Sequence, residues 1–100
     1  MGKIEKKQLD DLYRAILTLE TEQECAAFFD DIFTIQELES VSQRLEVARL
    51  LYQGRNYVDI NQMTGASTAT ICRVSKCLTY GDGGYKTVIE KLEAGEDNEL

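Results

Sequence analysis

The residues with the most chemistry to offer are arginines that lack local partners. Arg44 has Ser40, Val41, Val47 and Ala48 as its three- and four-residue helical neighbours, and Arg73 has Ala69, Thr70, Lys76 and Cys77. No carboxylate stands at any of these positions, whereas Arg49 has Glu46 three residues earlier as a helical partner. An unpaired guanidinium has three open fates: plain solvation, contact with a DNA phosphate, or capture of a small anionic effector. A second group surrounds Arg73. Ser67, Thr68, Ala69 and Thr70 are small, mostly polar side chains at a helix start, where free backbone amides favour phosphate and no bulk blocks entry into a major groove. Arg73 and Lys76 follow one turn later, in reach of a DNA backbone.

Other chemistry finds little support. The chain has no histidine and only three cysteines, Cys25, Cys72 and Cys77, with no CxxC pair, so a zinc site is not expected. Cys72 and Cys77 are five residues apart, about 140° around a helix, which disfavours a disulfide. Asp30 and Asp31 are adjacent, so on a helix they point about 100° apart and do not form a catalytic pair. Without a nucleophile–base spacing we expect no enzymatic activity, and no metal or cofactor. The loop Gly81-Asp82-Gly83-Gly84 lacks the lysine and spacing of a phosphate-binding P-loop and reads as a linker.

The elements that must position these residues are helices. Leu9, Leu12, Tyr13, Ile16 and Leu17 share one face of a helix over about 6–19. Thr21 with Glu24 is a capping box for a helix over about 22–32, which carries Cys25, Phe28, Phe29 and Ile32. Phe28, Phe29 and Phe33 form a core or dimer-interface cluster. Thr34 with Glu37 repeats the start signal for a long helix over about 35–53, with Ile35, Leu38, Val41, Leu45, Ala48 and Leu51 as its apolar series. Gly54 suits the left-handed position after that helix. Shorter helices follow over about 57–63 and 68–77, and a last one over about 85–94 carries Tyr85, Val88, Ile89 and Leu92. Residues 95–100 read as a frayed acidic tail. No strand pattern or internal repeat appears, and the absence of proline permits uninterrupted helices.

The segment 57–77 reads as a helix-turn-helix. Gly65 permits positive φ in the turn, Ser67 is an N-cap, and Ile60, Ile71 and Val74 close a small core between the two helices. Asn61 breaks the pattern, because a small apolar residue usually packs there. Charge is distributed to match. Residues 1–39 hold four basic and ten acidic side chains, and residues 81–100 hold two and six. Residues 40–80 hold five basic side chains against Glu46 and Asp59, so the middle of a chain of net charge −7 is basic. One hundred residues suit a single domain, one small enough to gain from sharing a core with a second copy. The N-terminus lacks the apolar stretch of a secretory signal and no segment is apolar enough to span a bilayer, so a cytoplasmic protein is expected.

At these residues the chain resembles the Trp repressor superfamily, and within it the branch of Trp-repressor-like proteins called YerC/YecD. The resemblance covers about residues 10–93. It is most specific over Thr64-Gly65-Ala66-Ser67-Thr68-Ala69-Thr70-Ile71-Cys72-Arg73 and, upstream, Gln43-Arg44-Leu45-Glu46-Val47-Ala48-Arg49. It implies an all-α, six-helix fold, an intertwined homodimer, and transcription regulation by binding double-stranded DNA. It places Thr68, Ala69 and Cys72, with Thr70 beside them, against base edges, where they offer few bidentate hydrogen bonds. Readout through water and DNA shape would then matter, as is described for the Trp repressor itself. The resemblance also maps the repressor's effector contacts onto Thr34, Arg44, Arg73, Val74 and Cys77. Val74 stands where the repressor has glycine and Cys77 where it has serine, so the implied effector is not tryptophan. The competing reading is a helical protein-interaction module whose helix-turn-helix has lost operator binding. The net charge and Asn61 both support that alternative.

Overall fold

The structure, a computed structural model, describes the backbone of residues 5–98 and the side chains of residues 5–96. Among the described residues there are six α-helices and no strand: α1 (Lys6–Leu17), α2 (Glu22–Ile32), α3 (Ile35–Tyr52), α4 (Tyr57–Thr64), α5 (Thr68–Tyr80) and α6 (Gly84–Asn98). The chain divides into two compact units, Met1–Leu38 and Glu39–Leu100, with the boundary inside α3. No helix among the described residues is long and apolar enough to cross a membrane.

The first unit is built from well-signalled helices. Thr21 accepts a hydrogen bond from the Glu24 amide at 3.1 Å, and the Glu24 carboxylate accepts from the Glu20 amide at 3.1 Å. Thr34 and Glu37 complete a reciprocal box at the start of α3, with bonds of 3.1 and 2.9 Å, satisfying two amides that the helix leaves free. That donation to its carboxylate holds Glu37 below the ordinary value of 4.5. Lys6–Asp10, Lys7–Asp11 and Asp11–Arg14 brace α1 along its exposed side. Phe29 meets Phe33 edge-on with ring centroids 5.4 Å apart, and Phe28 lies 6.0 Å from Phe29. Yet no described residue of this unit is fully buried, and Tyr13, Leu17, Ile32 and Ile35 are exposed.

The second unit holds the core. Val47, Ala48 and Leu50 of α3, Ile60 of α4, Ala66 of the turn, Ile71 and Val74 of α5 and Ile89 of α6 are buried together. Leu45, Leu51, Leu78 and Tyr85 pack against them. The expected apolar series on α3 is therefore displaced. Ile35 and Val41 are exposed, and Val47 and Leu50 enter the core in preference to Leu51. α3 ends as its glycine signals: Gly54 has φ +88°, its amide bonds the Leu51 carbonyl, and the Arg55 amide bonds that of Leu50, both at 3.0 Å. α5 runs past its expected end at 77 to Tyr80, and α6 runs past 94 to Asn98. The tail expected to fray is thus helical through residue 98, and positions 99 and 100 lie outside the described residues.

α6 is tied to α3 by side chains near its middle and end. Arg49 pairs with Glu96 at 2.8 Å and not with Glu46, its expected local partner, because packing brings the more distant carboxylate closer. The Tyr52 hydroxyl donates to Glu90 at 3.1 Å, which pushes the phenol up from its ordinary range.

Candidate nucleic-acid interface

α4 and α5 form the expected helix-turn-helix. Asn56 caps α4 by accepting from the Asp59 amide at 2.8 Å. Gly65 ends α4 with φ +74°, the left-handed backbone that a side chain disfavours. Ser67 caps α5 by accepting from the Thr70 amide at 3.2 Å, and its hydroxyl donates to Thr70 Oγ1 at 3.1 Å. Ile60, Ile71 and Val74 meet as expected, joined by Ala66, and this inner face fixes which side of α5 turns outward.

Asn61 is not a flaw in this motif. Its side chain reaches across the turn, and Nδ2 donates to the Ala66 carbonyl at 2.8 Å. A turn this tight leaves carbonyls that no helix can satisfy, and here those of Asn61, Thr64 and Ala66 find donors. The Gly65 amide bonds the Asn61 carbonyl at 2.8 Å. The Thr64 hydroxyl donates to the Ile60 carbonyl at 2.7 Å and accepts from the Ala66 amide at 3.1 Å. From α3, Gln43 Nε2 donates to the Thr64 carbonyl at 3.2 Å. An apolar residue at position 61 would pack but would leave the Ala66 carbonyl without this donor.

On the outer side, Ser67, Thr68 and Ala69 are exposed at the start of α5, and Thr70 and Cys72 are half-buried behind them. Arg73 and Lys76 are exposed one and two turns further along, and neither has a salt-bridge partner among the described residues. The face therefore combines a helix start with free amides, small side chains and two available cations, a set suited to a polyanion.

Of the residues proposed around an effector that lie in the second unit, Arg44 and Cys77 share a cleft. It has a volume of about 580 Å³ and is also lined by Val41, Leu45, Tyr85 and Val88. Arg44 Nη1 donates to Ser40 Oγ at 3.1 Å and has no carboxylate partner among the described residues. Val74 is in the core and lines no part of this cleft, and Arg73 is out on the exposed face of α5. Thr34 belongs to the first unit, where its hydroxyl caps α3. Gln43 and Ala66 were invisible as functional positions. The Gln43 bond spans 21 residues of sequence, so no local spacing announces it.

The chain matches the family model for the Trp repressor protein over residues 7–93. It is 48% identical over 96 residues to the uncharacterized protein YerC of Bacillus subtilis (strain 168), an alignment covering 96% of this chain and 92% of YerC. Two crystal structures are similar, both with a TM-score of 0.86. A proposed Trp repressor from Staphylococcus aureus is 46% identical and aligns over 89% of each chain. A TrpR-like protein from Eubacterium eligens ATCC 27750 is 47% identical, over 89% of this chain and 92% of its own.

Proposed function

This chain belongs to the Trp repressor family, and on that premise we propose that it is a cytoplasmic, homodimeric, sequence-specific DNA-binding transcription regulator that works without tryptophan. The observation that carries the reading is the outer face of α5. Ser67 caps an exposed helix start at which Thr68, Ala69 and Cys72, with Thr70 beside them, would meet base edges, and the exposed Arg73 and Lys76 would take phosphates. Asn61, which had counted against an intact motif, supports it through its bond to Ala66.

Fluorescence anisotropy with native operator fragments across a salt series tests this. Wild-type affinity should fall steeply with salt, because each phosphate contact releases counterions. Arg73→Ala or Lys76→Ala should weaken binding to all sequences and flatten the log–log salt slope by about two per dimer, one for each subunit. Thr68→Ala should instead change sequence preference. The net charge of −7 favours a different role, a helical protein-interaction module. Absence of duplex binding at low salt would decide for that role.

Independence from tryptophan rests on Val74. Its branched, stiff side chain is buried where the resembling repressor has bare glycine backbone, which argues against a flat slot for an indole beside it. Forcing a ring into such packing costs roughly 1–3 kcal/mol. Replacing a serine contact to a charged ligand group with the weak thiol of Cys77 costs about 1.5–3 kcal/mol more. Titration calorimetry should detect no tryptophan binding below the millimolar range, and tryptophan should leave DNA affinity unchanged. Tight binding coupled to stronger DNA binding would overturn this part of the reading. The cleft beside Arg44 remains open to a small anionic effector of another kind.

A further inference from the structure

We propose that Gln43 and Asn61 are positioning residues that hold α5 at its DNA-reading angle without any ligand. The inference rests on the DNA-binding reading above and adds the device that makes the motif competent by itself.

A helix-turn-helix must control the placement of its second helix. Its second helix is useful only at one angle to the rest of the protein, and that angle is set in the few residues of the turn. Hydrophobic contacts are non-directional and permit small rotations of one helix on another, whereas hydrogen bonds to fixed carbonyls do not. Two carbonyls that bracket the turn, those of Thr64 and Ala66, point to side chains of other elements. Asn61 of α4 bonds the Ala66 carbonyl, one residue before the α5 cap at Ser67. Gln43 of α3 bonds the Thr64 carbonyl, at the last residue of α4. The turn is thus anchored from α4 at its far end and from α3 at its near end. The Thr64 hydroxyl links the two, donating to Ile60 and accepting from Ala66.

These side chains have little else to do. Asn61 is exposed and Gln43 half-buried, so neither fills the core. Neither is charged, so neither attracts a polyanion by itself. Both are within the same unit as α5. Each contribution is a directed bond that stabilises one arrangement of the turn, and a population already in that arrangement binds DNA without the affinity loss of a motif that must first order.

The experiment compares wild type with Gln43→Met, which keeps length and bulk but has no donor, with Asn61→Ala, and with the double variant. Operator affinity should fall about tenfold in the double variant and several-fold in each single one, as expected for loss of one or two directed bonds. The salt slope should stay at the wild-type value, because the same phosphates are met once α5 is in place. Hydrogen exchange without DNA should quicken at the Gly65 and Ala66 amides and through the first turn of α5, while amides of α6 keep wild-type rates.

Wild-type affinity in the double variant would overturn the proposal. So would uniform loss of protection or of helicity in Gln43→Met, because the bond would then hold the fold and not the angle. The exchange measurement needs no DNA. If wild type binds no duplex, the DNA reading fails, and exchange at the turn still decides whether the two side chains hold it.

Discussion

The two units of this chain relate pattern to burial in opposite ways. α1 has the clearest division into apolar and charged faces of any helix here, with Leu9, Leu12, Tyr13 and Ile16 on one side and three salt bridges along the exposed side. It buries nothing. α3 has the weakest such division and supplies three buried residues, Val47, Ala48 and Leu50. A helix surrounded by its own chain can be apolar on several sides, whereas one at a surface needs a sharp stripe. A sharp stripe with no cover therefore marks a helix whose partner is elsewhere. α1, with 12 residues and exposed ion pairs, is too short to be stable by propensity alone. A second copy of the chain is the cover that the homodimer reading supplies.

The largest expected effect would come from attacking that stripe. Wild type in sedimentation equilibrium at micromolar concentration should show twice the 11.3 kDa chain mass. Ile16→Glu would place an unpaired carboxylate under the cover, at about 3–5 kcal/mol per subunit, and should return the mass to that of one chain. A folded wild-type monomer would break the comparison, because the stripe would then face water. Next in size is a cavity in the second unit. Ile71→Ala, at a fully buried site between α5 and the core, should cost about 2–5 kcal/mol in urea unfolding. Lys7→Ala, at an exposed side chain on the charged side of α1, should stay within about 0.5 kcal/mol. Equal costs would mean that Ile71 is not enclosed as its burial implies.

Caps give smaller effects. Ser67→Ala and Thr34→Ala should each cost about 1 kcal/mol, the first with a loss of DNA affinity and the second without. The smallest effect distinguishes the units by pH. The folded value of Glu37 lies below its unfolded value of 4.5, so its contribution is present above pH 4.5 and is lost as pH falls through the lowered folded value. Circular dichroism on acidification should show a loss of stability in wild type that Glu37→Gln reduces. The Asn56 cap of α4 contains no titrating group, so Asn56→Ser should leave that acid response unchanged.

How far the sequence could be read follows the same division. Helices α1 to α6 and the turn at Gly65 were legible because periodicity, caps and glycine signals act over three or four residues. The inward set of Ile60, Ile71 and Val74 was legible for the same reason. What escaped depends on distance. Gln43 meets a carbonyl 21 residues away, and Arg49 chooses Glu96, 47 residues away, over the nearby Glu46. Asn61 was misread because the expected residue type came from packing, whereas the turn required a donor. The core face of α3 was misplaced because a helix with little division into faces gives periodicity nothing to select. The burial of Val74 depends on the packing of α5 against its neighbours, which local spacing does not fix.

The location of the core also has a consequence for how the chain is made. Among the described residues, the eight buried side chains lie between Val47 and Ile89, and Ile89 is the last of them to leave the ribosome. Until α6 has been translated, the nascent chain has no finished interior, although Leu9, Phe28 and their neighbours are already exposed. At ordinary elongation rates the interval between adding Leu38 and adding Ile89 is roughly 3–10 s. Nascent domains generally fold in order from the N-terminus, but on the homodimer reading the later-made segment settles first and the earlier-made one waits for a second copy. During that wait the first segment is a natural client for a holdase chaperone. Its maturation should also speed up when other copies are being translated nearby, as on a crowded polysome.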